Sequence, residues 1–220
     1  MIIGIIGGNG LIGNQLITGF LQCGIAVDAL LRRSVIPETS GLRQHIAPPE
    51  SWPALVEDIK PDVAISALGT TIKQAGSQAA FESVDLDMVM AFARAARSAG
   101  ARQMILVSSV GADPAASNFY LRTKGRVEAG LRALAFDRLD IVRPGLLLGD
   151  RPGPPRVGER IATLFSPVLD LVLRGSLDRY AAIHADIVGA AMVKLAGQTA
   201  PGVFVHENRA LRRLADVSGA

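Results

Sequence analysis

Apolar and polar positions alternate along this chain in two different rhythms. Short, nearly continuous apolar runs occupy residues 2–6, 26–31, 62–68, 103–108, 139–143 and 203–206, with a weaker one at 44–47. Runs of that length, rich in Ile, Val and Leu, predict strands buried on both faces. Between them apolar residues recur every third or fourth position, which predicts helices. The first starts near Leu11. Others are expected at 51–59, ended by Lys60-Pro61, at 78–99 with Gly100 past its end, and from Ser117 or Asn118 to about 135. Further helices are expected at about 158–173 and 185–197, with a short one at the end of the chain. Residues 150–155 hold three prolines and a glycine, which predicts an irregular loop. Strand and helix in alternation predict an α/β protein with a doubly wound, mostly parallel sheet and helices on both faces.

Length and composition sharpen this picture only slightly. A chain of 220 residues with 49% hydrophobic and 20% charged residues predicts a single domain with a substantial core. Residues 1–149 would form its cofactor-binding part, and 150–220 a small extension closing a pocket over the C-terminal edge of the sheet. No apolar run reaches the roughly 18 uncharged residues of a membrane helix. The first residues have no basic segment and run into a glycine turn, so they read as a strand and not as a signal peptide. The lone Cys23 cannot form an internal disulfide and is expected as a small hydrophobe on the apolar face of the first helix. A reducing cytoplasm is the expected compartment. A net charge of +3 with 5% aromatics gives neither the basic patch nor the stacking platform of a nucleic-acid binder.

The chemistry begins at Gly7-Gly8-Asn9-Gly10-Leu11-Ile12-Gly13, lying between the first strand and the first helix. Gly7 allows the tight turn, Gly10 lets backbone approach a pyrophosphate, and Gly13 lets helix and strand pack closely. The helix beyond points unpaired N–H groups and its positive dipole end at the anion. This is the opening unit of a dinucleotide-binding, Rossmann-type sheet. The second strand then ends in Arg32-Arg33-Ser34, with no acid before Glu38. A carboxylate there would hold the ribose hydroxyls of NAD, whereas arginine accommodates the 2′-phosphate of NADP. The pair also reads as simply solvated. The expectation adopted is NADP(H) in preference to NAD(H), with guanidinium forks gripping the phosphate.

Tyr120 and Lys124 stand four residues apart, on one face of a helix. An unperturbed phenol, with a pKa of about 10, exchanges protons poorly near neutrality. An adjacent ammonium favours the phenolate and makes the group useful toward an alcohol or carbonyl. Just upstream, the strand at 103–107 runs into Ser108-Ser109, where a hydroxyl is placed to hold a substrate oxygen. No His, Cys or Asp spacing resembles a metal site. His45, His184 and His206 read as satisfied or exposed groups, and Asp186 as a helix-start acid. Glu128 forms an i,i+4 pair with Lys124, and Met88, Val89, Phe92 and Ala96 form an apolar stripe of core or dimer surface.

With these motifs in place, the chain resembles the atypical short-chain dehydrogenase/reductases, most of all the Tat-interacting-protein-like branch. Matching strings run nearly end to end: Gly7 to Gly13, Leu30-Leu31-Arg32-Arg33, Ala67-Leu68-Gly69-Thr70-Thr71, Ser108-Ser109-Val110-Gly111-Ala112-Asp113, Asn118-Phe119-Tyr120, Lys124-Gly125-Arg126-Val127-Glu128, Phe136-Asp137-Arg138, Arg143-Pro144-Gly145-Leu146-Leu147-Leu148 and Glu207-Asn208-Arg209-Ala210-Leu211. The resemblance implies NADP(H) binding and a Ser/Tyr/Lys reductase centre of Ser108, Ser109, Tyr120 and Lys124. It implies cofactor contacts from Gly7, Asn9, Gly10, Leu11, Ile12, Gly13, Arg32, Arg33 and Ser34. Leu68, Gly69, Thr70 and Thr71 would line the adenosine and ribose side, and Arg143, Pro144, Gly145 and Leu146 would lie near the nicotinamide. A small-molecule substrate follows, and a homodimer and a protein partner remain open.

Three departures from the family pattern matter. Ala47-Pro48-Pro49 stands where many relatives have an acid that meets the adenine amine. Asp85 replaces the asparagine that supports a water relay. The C-terminal part is shorter than in nucleotide-sugar epimerases, against activity on large sugar nucleotides. Two functions compete. One is an NADP-dependent oxidoreductase acting on a small carbonyl or alcohol, with Tyr120 exchanging the proton. The other is an NADP(H)-sensing regulator with little turnover that acts through protein partners. The intact Tyr120/Lys124 pair favours the enzyme, since a sensor needs only the phosphate and ribose contacts.

Overall fold

Each of the six apolar runs, and the weaker one, becomes a strand of a single parallel sheet. The computed structural model describes residues 1–34, 37, 39–149 and 175–216; the loop and helix expected at 150–155 and 158–173 lie outside them. The strands are β1 (Ile3–Ile6), β2 (Val27–Leu31), β3 (Leu42–Ile46), β4 (Val63–Ser66), β5 (Gln103–Val107), β6 (Arg138–Arg143) and β9 (Gly202–Glu207). Their order is β3-β2-β1-β4-β5-β6-β9, with every neighbour parallel. β1 lies between β2 and β4, so Ile3 faces Val27 on one side and Val63 on the other. The winding reverses at this point. Loops after β1 and β4 therefore diverge to opposite faces and leave a crevice at the carboxyl ends of the strands.

Helices cover both faces because parallel strands joined by crossovers bury both sides. One face carries α1 (Leu11–Gln22), α7 (Ala185–Leu195) and α8 (Asn208–Asp216). Leu16, Ile17 and Phe20 of α1 meet Val188 and Met192 of α7 and Leu211 of α8 over Ile3, Ile5 and Ile65. The other face carries α2 (Trp52–Ile59), α5 (Val89–Ser98) and α6 (Phe119–Ala133). Trp52, Val56, Val89, Phe92, Ala96, Val127 and Leu131 cluster there against Ile6, Leu30 and Leu106. Most of the stripe on the helix expected at 78–99 is thus core. Each large side chain buried this way contributes about 1.5–3 kcal/mol.

Several expectations need correction. The helix expected at 78–99 is divided into α4 (Gln78–Glu82), a π-helical segment (Ser83–Met88) and α5, with α3 (Ile72–Ala75) before them. The π segment turns the backbone by an extra residue and buries Asp85. α1 ends at Gln22, so Cys23 is its C-cap and is exposed. A second, two-stranded parallel sheet, β7 (Leu146–Leu148) with β8 (Ala182–His184), was not anticipated. Two buried aspartates organise the flanks of the main sheet. Asp28 on β2 accepts from Arg43 and meets His45 Nε2 at 2.7 Å. Asp140 on β6 accepts from Arg138 and Gln103 and meets His206 Nε2 at 2.8 Å. Burial raises both carboxyls, but these donors outweigh it and hold them below the ordinary carboxylate range.

Candidate functional site

The turn after β1 is built around backbone that tolerates no side chain. Gly7 has φ +80°, and a Cβ there would lie 2.4 Å from Ala67 C and Leu68 N in the loop after β4. A Cβ on Gly13 would lie 2.1 Å from Gly7 O, so α1 is docked directly against the turn. Gly10 N–H donates to Gly7 O at 2.9 Å, and Gly10 caps α1 with extended backbone and no side-chain cap bond. No acid occupies the first turn of α1. Leu11 and Ile12 are buried in the core and so offer the crevice their backbone N–H groups, while Asn9 is exposed. A helix N-terminus left uncapped by side chains and approachable through glycine fits a pyrophosphate.

Beyond β2, Arg32, Arg33 and Ser34 are exposed, with Ser34 Oγ donating to Gln44 Oε1 on β3 at 3.4 Å. On the other side of β1, Leu68, Gly69, Thr70 and Thr71 leave β4 toward the crevice. Thr71 caps α3 by accepting from Gln74 N–H at 3.2 Å, and Thr70 N–H donates to Asp85 Oδ2 at 2.8 Å.

Asn118 starts α6 by accepting from Leu121 N–H at 3.1 Å. The segment between β5 and α6 lies against that helix at Gly125, where a Cβ would fall 2.1 Å from Asp113 C. Tyr120 and Lys124 share the helix face, the ammonium 6.0 Å from the phenol ring centroid, and Phe81 packs on that ring at 5.8 Å. Lys124 is only 6% exposed and its Nζ lies 2.7 Å from Oδ1 of Asp85, which is fully buried. Burial opposes the lysine's charge. Asp85, and after it Tyr120 and Glu128, more than compensate, so its pKa is raised and it stays an ammonium.

Glu128, expected as the partner of Lys124, is directed elsewhere. It accepts from Ser108 Oγ at 2.5 Å and receives Nε and Nη2 of Arg143 at 2.9 and 2.5 Å. Arg143 also donates to Ala112 O, and Glu128 and Ser108 are both buried. Ser109 is half-buried, with its hydroxyl 3.3 Å from Val110 O. The two serines therefore face different surroundings. Gly145, after Pro144, donates its N–H to Asn208 Oδ1 and packs against Ala181 O; Leu146 is exposed at the start of β7. Gly149, just past β7, lies close to Leu11 of α1. The expected residues of the glycine turn, the β4 loop, the start of α6 and the Pro144-Gly145 turn thus gather at the C-terminal edge of one sheet. What sequence reasoning missed is the role of Asp85, noted only as a replacement. Its signal was an acid at a position where a buried lysine needs a counter-charge.

Among the described residues no three His, Cys, Asp or Glu stand together as metal ligands, and no helix is long and apolar enough to cross a membrane. The "Protein fmp52, mitochondrial" of Emericella nidulans is 32% identical over 200 residues, covering 87% of this chain and 85% of the relative. "Protein FMP52-1, mitochondrial" of Scheffersomyces stipitis is 38% identical over 158 residues, 67% of each chain. "Protein HTATIP2" of Rattus norvegicus is 45% identical over 104 residues, 47% of this chain and 42% of the relative. The fungal names overturn the expected cytoplasmic location, since relatives at 31–38% identity are called mitochondrial. In fold, the chain is similar to the UDP-glucose 4-epimerase of Thermotoga maritima with UDP-glucose. The TM-score is 0.73 at 16% identity, covering 100% of this chain and 83% of that one. MoeE5 in complex with UDP-glucose and NAD gives 0.72, also at 16% identity. Residues 3–170 match the NAD dependent epimerase/dehydratase family, and the chain belongs to that family.

Proposed function

We propose that this protein is an NADP(H)-dependent oxidoreductase acting on a small carbonyl or alcohol. One contiguity carries the reading. The glycine turn abuts Ala67 and Leu68, and two residues on, a Cβ at Gly69 would sit 3.8 Å from Lys124 Nζ. An anion site at α1 is therefore continuous, through one loop, with the Tyr120/Lys124 pair. Arg32 and Arg33, exposed where β2 ends, favour a 2′-phosphate and hence NADP(H).

The nicotinamide supplies or accepts hydride when bound. Tyr120 donates its phenolic proton to the oxygen of a carbonyl being reduced, and takes it back when an alcohol is oxidised. The Lys124 ammonium favours the phenolate left behind. Ser109, half-buried and not engaged by Glu128, donates a hydrogen bond to the substrate oxygen as charge builds there. Backbone N–H groups at the start of α1 would hold the diphosphate, and the loop from Leu68 to Thr71 would line its ribose side.

Titrating the purified protein with NADPH and NADH, then following NADPH consumption over aldehydes, ketones and quinones, tests this. Tighter NADPH binding is expected, with turnover that falls by about a hundredfold or more in Tyr120→Phe, the ordinary contribution of a positioned acid. Unchanged turnover in that variant removes Tyr120 from the chemistry. Tight NADPH binding without turnover on any compound favours the cofactor-sensing regulator.

A further inference from the structure

The lysine of this centre has a dedicated, fully buried counter-charge. Asp85 stands in the π-helical segment between α4 and α5, which brings its carboxylate inward. One oxygen lies 2.7 Å from Lys124 Nζ, and the other accepts Thr70 N–H at 2.8 Å. A carboxylate in such a place is costly unless paired, so something must repay its burial. Packing alone does not require an acid: an uncharged side chain of the same shape would fill the space without the desolvation penalty.

We propose that Asp85 is a positioning residue that clamps Lys124 to the β4 loop and limits how much of the lysine's charge reaches the Tyr120 phenol. The inference rests on the oxidoreductase reading for its catalytic meaning, but not for its geometry. The charged and titratable groups acting on Lys124 are Asp85, Tyr120 and Glu128. Glu128 is engaged by Arg143 and Ser108, and among the described residues Asp85 alone makes a direct ion pair with the lysine. Asp85 thus sets a negative charge directly on the ammonium that stands 6.0 Å from the Tyr120 ring centroid, and it opposes that ammonium's field. The same carboxylate ties the lysine to Thr70, in the loop that also abuts the glycine turn.

The chain has two tyrosines, Tyr120 and Tyr180, so a Tyr180→Phe background leaves one phenol to titrate by its tyrosinate absorbance. In that background Asp85→Asn is expected to lower the titration midpoint by about one pH unit or more, as removal of a nearby buried charge should. The alkaline limb of alcohol oxidation should move the same way, and the ratio of oxidation to reduction rates at neutral pH should rise. Coincident absorbance midpoints in parent and variant, with far-UV circular dichroism unchanged, overturn the proposal. Asp85→Ser, smaller and also neutral, is read identically if the amide variant does not fold. The absorbance titration needs no turnover, and Tyr120→Phe reports on the oxidoreductase reading separately. A shifted midpoint with no loss in Tyr120→Phe keeps the clamp and removes the catalysis.

Discussion

Ser108 gives its hydroxyl proton to Glu128, at 2.5 Å, while Glu128 is itself held by the fork of Arg143. A hydroxyl bonded to a buried carboxylate is poorly placed to donate to a substrate as well. Ser109→Ala is therefore expected to lower kcat by about tenfold to a hundredfold, within the range of a lost oxyanion donor. Ser108→Ala is expected to leave kcat within a few-fold and to lower thermal stability, because Glu128 loses a buried donor. Steady-state kinetics and thermal melts of the two variants check this, and the reverse pattern would exchange the roles of the serines.

The glycine turn makes a graded prediction. Gly13→Ala places a methyl 2.1 Å from Gly7 O, a backbone atom that cannot swing aside. It should destabilise the protein by about 1–3 kcal/mol or more, as overpacking does, and abolish NADPH binding with it. Gly10→Ala meets the same carbonyl at 3.2 Å. Its stability should change less, while a methyl at the N-cap of α1 should still weaken NADPH. Calorimetry and fluorescence titration separate the two effects.

At the end of β2, Arg32→Asp combined with Arg33→Ala should weaken NADPH by about tenfold or more, the loss of a charge-assisted phosphate contact. NADH should change little, because the phosphate is absent from it. Both guanidiniums are exposed, so folding should be unaffected. Equal losses for the two nucleotides would remove the 2′-phosphate from these arginines.

These expectations follow largely from the sequence, and the reason is local. Gly7, Gly10 and Gly13 are required by backbone contacts that any side chain would break, so their spacing carries the turn by itself. Strands buried on both faces show as continuous apolar runs, and β1, β2, β4, β5 and β6 were legible for that reason. Leu146–Leu148 was not, since three residues after a Pro-Gly turn carry no period. The π segment was hidden because one extra residue in a helical turn leaves apolar spacing nearly intact, yet it changes which side chain faces inward. Asp85 took the partner expected for Glu128 for this reason. Helical spacing pairs Lys124 with Glu128, while the tertiary fold pairs it with Asp85 and sends Glu128 to Arg143. Cys23 was misplaced by a single residue of helix boundary.

Asp140 links acidity to stability. Its carboxyl is held below the ordinary range by His206, Arg138 and Gln103 in spite of burial, so the folded state binds its proton less readily than the unfolded chain. That contribution is complete above the ordinary carboxylate pKa of about 3.9. It is lost as pH falls through the lower folded-state value. Asp140→Ala leaves Arg138, itself only 5% exposed, without its counter-charge. A loss of about 3–5 kcal/mol at neutral pH is expected, as for a broken buried pair. The gap between parent and variant should narrow in acid. Denaturant unfolding at several pH values checks both, and a pH-independent gap would contradict the linkage.

In the proposed function, one dinucleotide spans from the N-terminus of α1 to the phenol at the start of α6. A crystal structure grown with NADPH tests it most directly. The expected result is diphosphate against the turn from Gly7 to Gly13, the 2′-phosphate on Arg32 or Arg33, and the nicotinamide facing Tyr120. NADPH lodged elsewhere, or a Tyr120 side chain directed away from the nicotinamide, would contradict it.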